Sequence, residues 1–117
     1  MKIWEKSIQN PSETPWADWI ICGKKIWEGR LYRDDWTNVR VGDIIIFKYD
    51  NNNKNFKVVV TDLKYFIDFG EAFNTLGMGL VPVEGISVED VVTFYKKYYS
   101  EADTIKYGVV AVGVKLL

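Results

Sequence analysis

The sequence predicts an α+β fold in which a mixed, partly closed β-sheet is accompanied by about three short helices. The chain has 117 residues, a length that suits one domain spanning residues 1–117. Apolar residues make up 48% of it, which is enough for a core without disulfide bonds. The predicted strands outnumber those that helical crossovers would join, which favours a mixed sheet over a doubly wound one.

The first half of the chain alternates turn residues with apolar runs. Thr14 can cap a helix and Pro15 suits its first turn, while Gly23 supplies a left-handed stop. Gly29 interrupts the following strand, which indicates a bulge or a close backbone approach. The predicted elements are a strand over 1–8, a helix over 15–22, a strand over 25–32, a helical turn over 34–39 and a strand over 44–49. The last strand is almost wholly apolar, so we expect it to be buried on both faces.

The second half begins with a run of asparagines that predicts a hairpin loop. Asp68 and Ser87 are each placed to cap a helix, and Gly77 is placed to stop the first of the two. The predicted elements are a strand over 56–65, a helix over 68–76, an irregular loop over 78–85, a helix over 87–99, a polar connection over 100–106 and a strand over 107–117.

Composition excludes several classes of chemistry. The chain has no histidine, which rules out a Ser-His-Asp or Cys-His hydrolase and removes the commonest metal ligand. Its single cysteine, Cys22, follows two isoleucines and is expected to be buried. We therefore expect no metal site and no cofactor. Proton transfer in an enzyme would depend on Lys, Glu, Asp or Tyr.

No signal peptide or membrane-spanning run is visible in the sequence, and no internal disulfide can form. These features suit a reducing compartment, so the expected location is intracellular, either cytoplasmic or nuclear, with no membrane partner. The net charge of −1 is unlike that of a strongly basic protein that binds long nucleic acids.

The segment after the first predicted helix concentrates charge. Lys25, Glu28 and Arg30 fall within six residues, beside Gly29 and Trp27. Charges held close together on a rigid backbone can recognise an anionic or hydrogen-bonding ligand. In a regular strand Glu28 and Arg30 share one face and Lys25 lies on the other. All three converge only if a bulge intervenes or if Lys25 lies in the turn before the strand.

The same segment carries a family resemblance. Gly23, Lys25, Glu28 and Arg30 match the pattern Gly-x-Lys-x-x-Glu-x-Arg of the ASCH domain family, whose fold is similar to that of PUA domains. The chain resembles this family from Trp16 onward. Further matches are Val41-Gly42-Asp43 through Phe47, Phe69 and Phe73, Leu80-Val81-Pro82, Tyr95 to Ser100, and Tyr107 to Ala111. The resemblance implies a mixed, partly closed β-barrel with a cleft beside the strand that carries this pattern.

The function that this resemblance implies is an RNA- or nucleotide-binding module, with RNA, a nucleotide or a nucleoside as ligand. The expected cleft is lined by Lys25, Glu28 and Arg30, where the cations meet phosphate or base edges and Glu28 accepts from an amino group. The full set of expected ligand-binding residues is Gly23, Lys24, Lys25, Trp27, Glu28, Arg30, Tyr98, Tyr99 and Ser100. Structural roles stay open for several of them, since Glu28 and Arg30 could brace the barrel and Trp27 could belong to the core.

Two alternatives remain. Some ASCH-like proteins are small hydrolases that remove the acetyl group of 4-acetylcytidine, and at least one is a ribonuclease. In those hydrolases a threonine nucleophile stands where this chain has Glu28, and a later glutamate corresponds to Glu84. The first alternative is therefore a small hydrolase of modified nucleosides or a weak ribonuclease, with Lys25, Glu28 and Glu84 as catalytic residues. The second alternative is a protein-interaction domain with an aromatic contact surface.

Overall fold

The structure, a computed structural model, describes residues 1–117 as a mixed five-stranded sheet curled into a half-barrel, with four α-helices. The strands are β1 (Ile3–Ser7), β2 (Trp27–Leu31), β3 (Ile44–Tyr49), β4 (Lys54–Phe66) and β5 (Val109–Leu116). The helices are α1 (Trp16–Ile21), α2 (Phe69–Leu76), α3 (Val88–Lys96) and α4 (Glu101–Tyr107), with short 3₁₀ turns at Asp34–Thr37 and Gly77–Gly79. The predicted fold class is confirmed.

The strand order explains the half-barrel. It runs β1-β3-β4-β5-β2, with β1 parallel to β3 and every other neighbouring pair antiparallel. The sheet bends where β4 shifts register between Val60 and Asp62. Gly113 of β5 lies opposite this bulge, and a Cβ on it would come within 2.6 Å of the Thr61 hydroxyl. Strands β1 and β2 are left as the two edges of the curled sheet.

The hydrophobic core forms one cluster between the sheet and the helices. β5 is buried from Val109 through Val114 because it lies inside the sheet and helices pack against it. β3 was expected to be buried on both faces, and this is wrong. Ile45 and Phe47 are fully buried, whereas Ile44 and Ile46 on the opposite face are half-exposed. β3 lies next to the edge strand β1, and the face with Ile44 and Ile46 stays partly open to solvent.

Two of the three predicted helix caps form. The third prediction is wrong, because Pro15 rather than Thr14 occupies the N-cap position of α1, Thr14 is buried and no side chain caps this helix. Asp68 and Ser87 accept hydrogen bonds from the backbone N–H three residues on, at 2.8 and 3.1 Å, as predicted. Ser100 makes the same contact with the Asp103 N–H at 3.1 Å and begins α4. The polar connection expected over 100–106 is therefore wrong. The Ser-x-x-Asp spacing there is the same capping signal that predicted α3.

A buried carboxylate joins the first strand to the rest of the sheet. Asp43 accepts hydrogen bonds from the Trp4 indole N–H at 2.9 Å, the Lys2 N–H at 3.0 Å and the Arg40 N–H at 2.9 Å. Burial alone would raise the pKa of Asp43, but these hydrogen bonds outweigh it, and the pKa is lowered. The Val-Gly-Asp turn is therefore a structural feature that positions β1.

Cys22 is exposed, so its predicted burial is wrong. Ile20 is buried on the inner face of α1, and Cys22 follows two positions later, on the opposite side of the helical turn. The apolar run from Ile20 to Cys22 therefore turns around the helix, and only part of it faces the core. The longest helix has nine residues, and no helix is long and apolar enough to cross a membrane.

Candidate functional site

Lys25 lies in the turn between α1 and β2. Its backbone N–H donates to the Trp19 carbonyl at 2.9 Å, and regular pairing with β5 begins only at Trp27. β2 contains no bulge. Of the two arrangements that would bring the three charges together, the structure therefore shows the one in which Lys25 lies in the turn before the strand. From this position the Lys25 side chain reaches the buried face on which Glu28 lies.

The three charged side chains meet around the Glu28 carboxylate. Its Oε2 accepts from Arg30 Nε at 3.0 Å and from Arg30 Nη2 at 2.8 Å. Its Oε1 lies 3.6 Å from Lys25 Nζ, which in turn donates to the Leu80 carbonyl at 2.5 Å. Lys25 also lies over the Trp16 ring, 4.9 Å from its centroid. We call Lys25, Glu28 and Arg30 the charged cluster.

The charged cluster carries more positive than negative charge when Lys25 is protonated. The Lys25 side chain is wholly inaccessible to solvent, and only 6% of the Glu28 side chain is exposed. Burial lowers the pKa of Lys25 to about 8, although the nearby Glu28 carboxylate opposes this shift. At neutral pH the cluster therefore holds two cations and one anion in a poorly hydrated setting, which favours hydrogen-bond acceptors and anions.

Arg30 also joins the two edges of the sheet. Its Nη2 donates to the Ser7 carbonyl at the end of β1, at 2.8 Å. The guanidinium lies 5.0 Å from the centroid of the Trp36 ring. β1 and β2 are not paired through their backbones, so this side chain bridges the opening of the half-barrel. We call the contact between Arg30 and Ser7 the edge clasp.

A cavity of about 200 Å³ lies beside the edge clasp. We call it the edge cavity. It is lined by Ser7 at the end of β1 and the following Ile8 and Gln9, by Glu28, Gly29 and Arg30 of β2, by Trp16 of α1 and Tyr95 of α3, and by Tyr98 and Tyr99 just after α3. Its walls therefore combine a carboxylate and a guanidinium with four aromatic rings.

Tyr95 has an unusual position in the edge cavity. Its hydroxyl is the one buried side-chain polar atom in the protein without a hydrogen-bond partner. Gly29 makes room for it, because a Cβ on Gly29 would lie 3.1 Å from the Tyr95 hydroxyl. Burial, and then the Glu28 charge, raise the pKa of Tyr95 well above its usual value. The phenol therefore stays protonated at neutral pH and offers an unused O–H donor.

Aromatic contacts hold this wall in place. Phe69 stacks on Tyr95 with ring centroids 3.9 Å apart, and Tyr99 lies on the same Phe69 ring at 5.5 Å. The Trp16 indole donates to the Tyr98 hydroxyl at 3.2 Å. Tyr98 is the most exposed of these rings. These contacts orient the rings before any ligand arrives.

The structure brings some of the predicted site residues together and leaves others apart. Glu28, Arg30, Tyr98 and Tyr99 line the edge cavity, and Lys25 lies behind Glu28 without lining it. The remaining predicted residues do not line this cavity. Gly23 and Lys24 are exposed in the turn, Trp27 packs near Gly79, Ser100 caps α4, and Glu84 is exposed in its loop.

Sequence reasoning missed six of the ten residues that line this cavity: Ser7, Ile8, Gln9, Trp16, Gly29 and Tyr95. Trp16 and Tyr95 lie in the helices predicted over 15–22 and 87–99, where a packing role and a cavity role give the same spacing. Tyr95 begins the Tyr95–Ser100 match to the family pattern, which was a usable signal. Ser7 and Gln9 reach the cavity only because β1 lies at the edge facing β2, and nothing in their local sequence indicates that.

Comparison with known proteins places the fold and the family. The ASCH domain family model matches residues 12–117. The crystal structure of hypothetical protein PH0355 is 33% identical, with a TM-score of 0.84 and full coverage of both chains. The solution structure of protein PF0455 from Pyrococcus furiosus is 28% identical, with a TM-score of 0.73, and covers 98% of this chain and 97% of its own.

A more distant structure supports the fold alone. Protein EF3133 from Enterococcus faecalis V583 is 9% identical, with a TM-score of 0.68 over all of this chain and 76% of its own. No curated protein matches the chain. No group of three or more cysteine, aspartate or glutamate side chains is arranged to hold a metal ion. The match over residues 12–117 shows that this chain belongs to the ASCH domain family, whose PUA-like domains are in general RNA-binding.

Proposed function

We propose that the edge cavity binds one unpaired RNA base, or the corresponding nucleoside. The observation that carries this proposal is the Tyr95 hydroxyl, which is buried, has no protein partner and belongs to a residue that lines the same cavity as Glu28 and Arg30. A buried polar group without a partner costs free energy of about 1–3 kcal/mol. A ligand that accepts or donates a hydrogen bond at this position would recover part of that cost.

The unused hydrogen-bonding capacity of the cavity suits a base edge. A carboxylate has about four acceptor positions, of which Glu28 gives two to Arg30 and directs one toward Lys25. One position remains for an amino group. Nη1 of Arg30 donates to no protein acceptor, so it is available for a carbonyl or phosphate oxygen. The edge of a base carries both donors and acceptors, so a site that recognises it needs an acceptor and a donor next to each other, as Glu28 and Arg30 are here.

Size and walls support a base as the occupant. The volume of about 200 Å³ is below the range of about 300–1,000 Å³ that is usual for larger ligands. The Trp16, Tyr98 and Tyr99 rings supply faces on which a base can stack. The sugar and phosphate would then remain at the mouth. Gly23, Lys24, Trp27 and Ser100 enter the proposal only as contacts of flanking nucleotides.

Lys25 has a positioning role in this proposal. It holds the Glu28 carboxylate from behind and adds positive charge to the cluster, while the Leu80 carbonyl takes its other contact. Its loss is expected to weaken binding through Glu28. A Lys25→Met variant should therefore reduce affinity less when Glu28 is already Gln, because the two substitutions act on one interaction.

The test is a titration of the ¹⁵N-labelled protein with adenosine, cytidine, guanosine, uridine and a short single-stranded RNA, followed by NMR. Saturable shifts are expected at residues that line the edge cavity. Glu28→Gln and Tyr95→Phe should each weaken the binding by about ten-fold or more. Matched controls are Glu13→Gln and Tyr65→Phe, which change an exposed carboxylate and an exposed phenol outside the cavity. Equal affinity in all four variants, or no response of cavity residues, would refute the proposal.

One observation favours a second candidate, a hydrolase of modified nucleosides. Lys25, with its pKa lowered by burial to about 8, is an amine that could exchange a proton near neutral pH, next to Glu28. Against this, the ammonium is sealed behind Glu28, and Glu84 is exposed in its loop. Incubation with 4-acetylcytidine and mass spectrometry separates the two. Conversion that Lys25→Ala abolishes would establish the hydrolase, and binding without conversion would leave the binding module.

A further inference from the structure

We propose that a groove between α2, α3 and α4 docks a basic protein segment through its apolar side chains. This groove, which we call the helix groove, has a volume of about 680 Å³ and lies outside the edge cavity. It is more than three times as large as the edge cavity. Its volume lies within the range of about 300–1,000 Å³ that is usual for sites that bind a ligand.

The apolar character of the helix groove comes from its floor and its rims. Val88 and Val92 of α3 are half-buried on the floor, where they lie beside Gly70 of α2. Ile67 and Ile105 stand on the rims and are 72% and 75% exposed. Single exposed apolar residues need no explanation, but two isoleucines flanking a concave apolar floor indicate a contact surface.

The charge of the groove selects the kind of occupant. Asp68, Glu71 and Glu101 lie along it and none forms an ion pair, whereas Lys96 is the one cation among the lining residues. Such a surface repels the phosphate backbone of RNA and attracts lysine and arginine. The occupant is therefore a protein segment that places leucine-sized side chains on the floor and basic side chains against the rims.

The groove also adjoins the edge cavity. Tyr95 and Tyr99 line both of them, so the two spaces share part of one wall. A segment seated in the groove would contact the outer side of this wall. A protein partner and an RNA base could therefore occupy this domain at the same time, on opposite sides of the same tyrosines.

The test is selection of short random peptides displayed on phage against the full chain. Enriched peptides should combine leucine, isoleucine or phenylalanine with lysine or arginine. A synthetic peptide with the most enriched sequence should bind to the Ile105→Ser variant at least about ten-fold more weakly than to the native chain, since an exposed anchor of an apolar interface is lost. Ile3→Ser is the matched control, because Ile3 is also exposed but lies on β1. Normal thermal unfolding will establish that both variants fold.

Charge reversal sharpens this test. The double variant Glu71→Lys, Glu101→Lys should enrich acidic peptides in place of basic ones. Glu28→Gln should leave peptide binding unchanged, which separates this proposal from base binding. The proposal fails if no peptide is enriched, if the native chain selects acidic peptides or if Ile105→Ser binds the most enriched peptide as tightly as the native chain. It also fails if sedimentation shows a dimer that Ile105→Ser dissociates, or if a short RNA shifts the NMR signals of groove residues that do not also line the edge cavity, such as Val88, Val92 and Ile105.

Discussion

The edge cavity and the helix groove share two tyrosines but organise charge in opposite ways. In the edge cavity a carboxylate is buried between two cations, and each charged group has a partner. In the helix groove three carboxylates are exposed, without ion pairs, beside an apolar floor. Burying charge costs free energy even when the charge is paired. The charged groups beside the edge cavity therefore lower the stability of the fold, while their contacts with one another fix their positions. In the helix groove the three carboxylates stay hydrated, and it is apolar side chains that are left exposed to solvent.

The largest expected contrast is between two glutamates. Glu28→Ala should lower the free energy of unfolding by about 3–5 kcal/mol, because Lys25 and Arg30 would remain buried without their counter-ion. Glu101→Ala in the helix groove removes an exposed charge at a helix start and should cost less than about 1 kcal/mol. Urea unfolding measures both. Similar losses in the two variants would contradict the proposed difference between buried and hydrated charge.

The second contrast concerns pH. The folded pKa of Lys25 is lowered from 10.5 to about 8, so between these values the unfolded chain binds more protons than the folded one. The free energy of unfolding should therefore rise by about 2–3 kcal/mol from pH 8 to pH 10.

Lys25→Met is the control for this pH dependence, and it should not show the rise. The measurement should stop near pH 10, because the raised pKa of Tyr95 reverses the trend above it. A rise of the same size in Lys25→Met would assign the effect to other groups.

The third contrast uses two glycines. A Cβ on Gly29 would lie 3.1 Å from the Tyr95 hydroxyl and 3.3 Å from the Phe69 ring, so Gly29→Ala should destabilise by about 1–3 kcal/mol. Gly70 in α2 has its nearest neighbours at an ordinary 3.4 Å. Gly70→Ala should stabilise by roughly 0.5–1 kcal/mol, since alanine favours the helix. Thermal unfolding compares the two, and a loss at Gly70 matching that at Gly29 would refute the distinction.

The smallest expected effect separates two tyrosines of the edge cavity. Tyr95→Phe removes a hydroxyl without a partner and should raise stability by up to about 1 kcal/mol. Tyr98→Phe removes the acceptor of the Trp16 indole and should lower stability by about 1 kcal/mol. Urea unfolding of both variants checks this. A destabilised Tyr95→Phe would mean that the Tyr95 hydroxyl has a partner in solution.

Local signals in the sequence were sufficient for much of the fold. Asp68 and Ser87 begin helices where their capping geometry predicted, because a cap depends on residues three positions apart. The α4 helix was missed although Ser100 carries the same signal, because the residues after it are mostly polar and gave no apolar stripe. β3 was expected to be buried on both faces because an apolar run does not reveal which neighbours will cover it.

The candidate site was less accessible to sequence reasoning. Glu28 and Arg30 could be selected because they alternate along one strand, and the turn position of Lys25 was one of two stated arrangements. Tyr95 could not be distinguished from core residues by its spacing alone, since a phenol that packs and a phenol that lacks a partner occupy the same helix position. Ser7 lies 23 residues from Arg30 in the chain, and their contact depends on the curvature of the whole sheet.

The edge clasp has a mechanical consequence. Within a sheet, separating two strands breaks a ladder of backbone hydrogen bonds, but β1 and β2 are held across the opening by a hydrogen bond from the long Arg30 side chain. Rotation about the side-chain bonds of Arg30 can release Ser7 while every backbone ladder stays intact. Opening the half-barrel at this point would therefore break a side-chain hydrogen bond and no backbone ladder, and the residue that holds the two edges together also belongs to the polar lining that an entering molecule would meet.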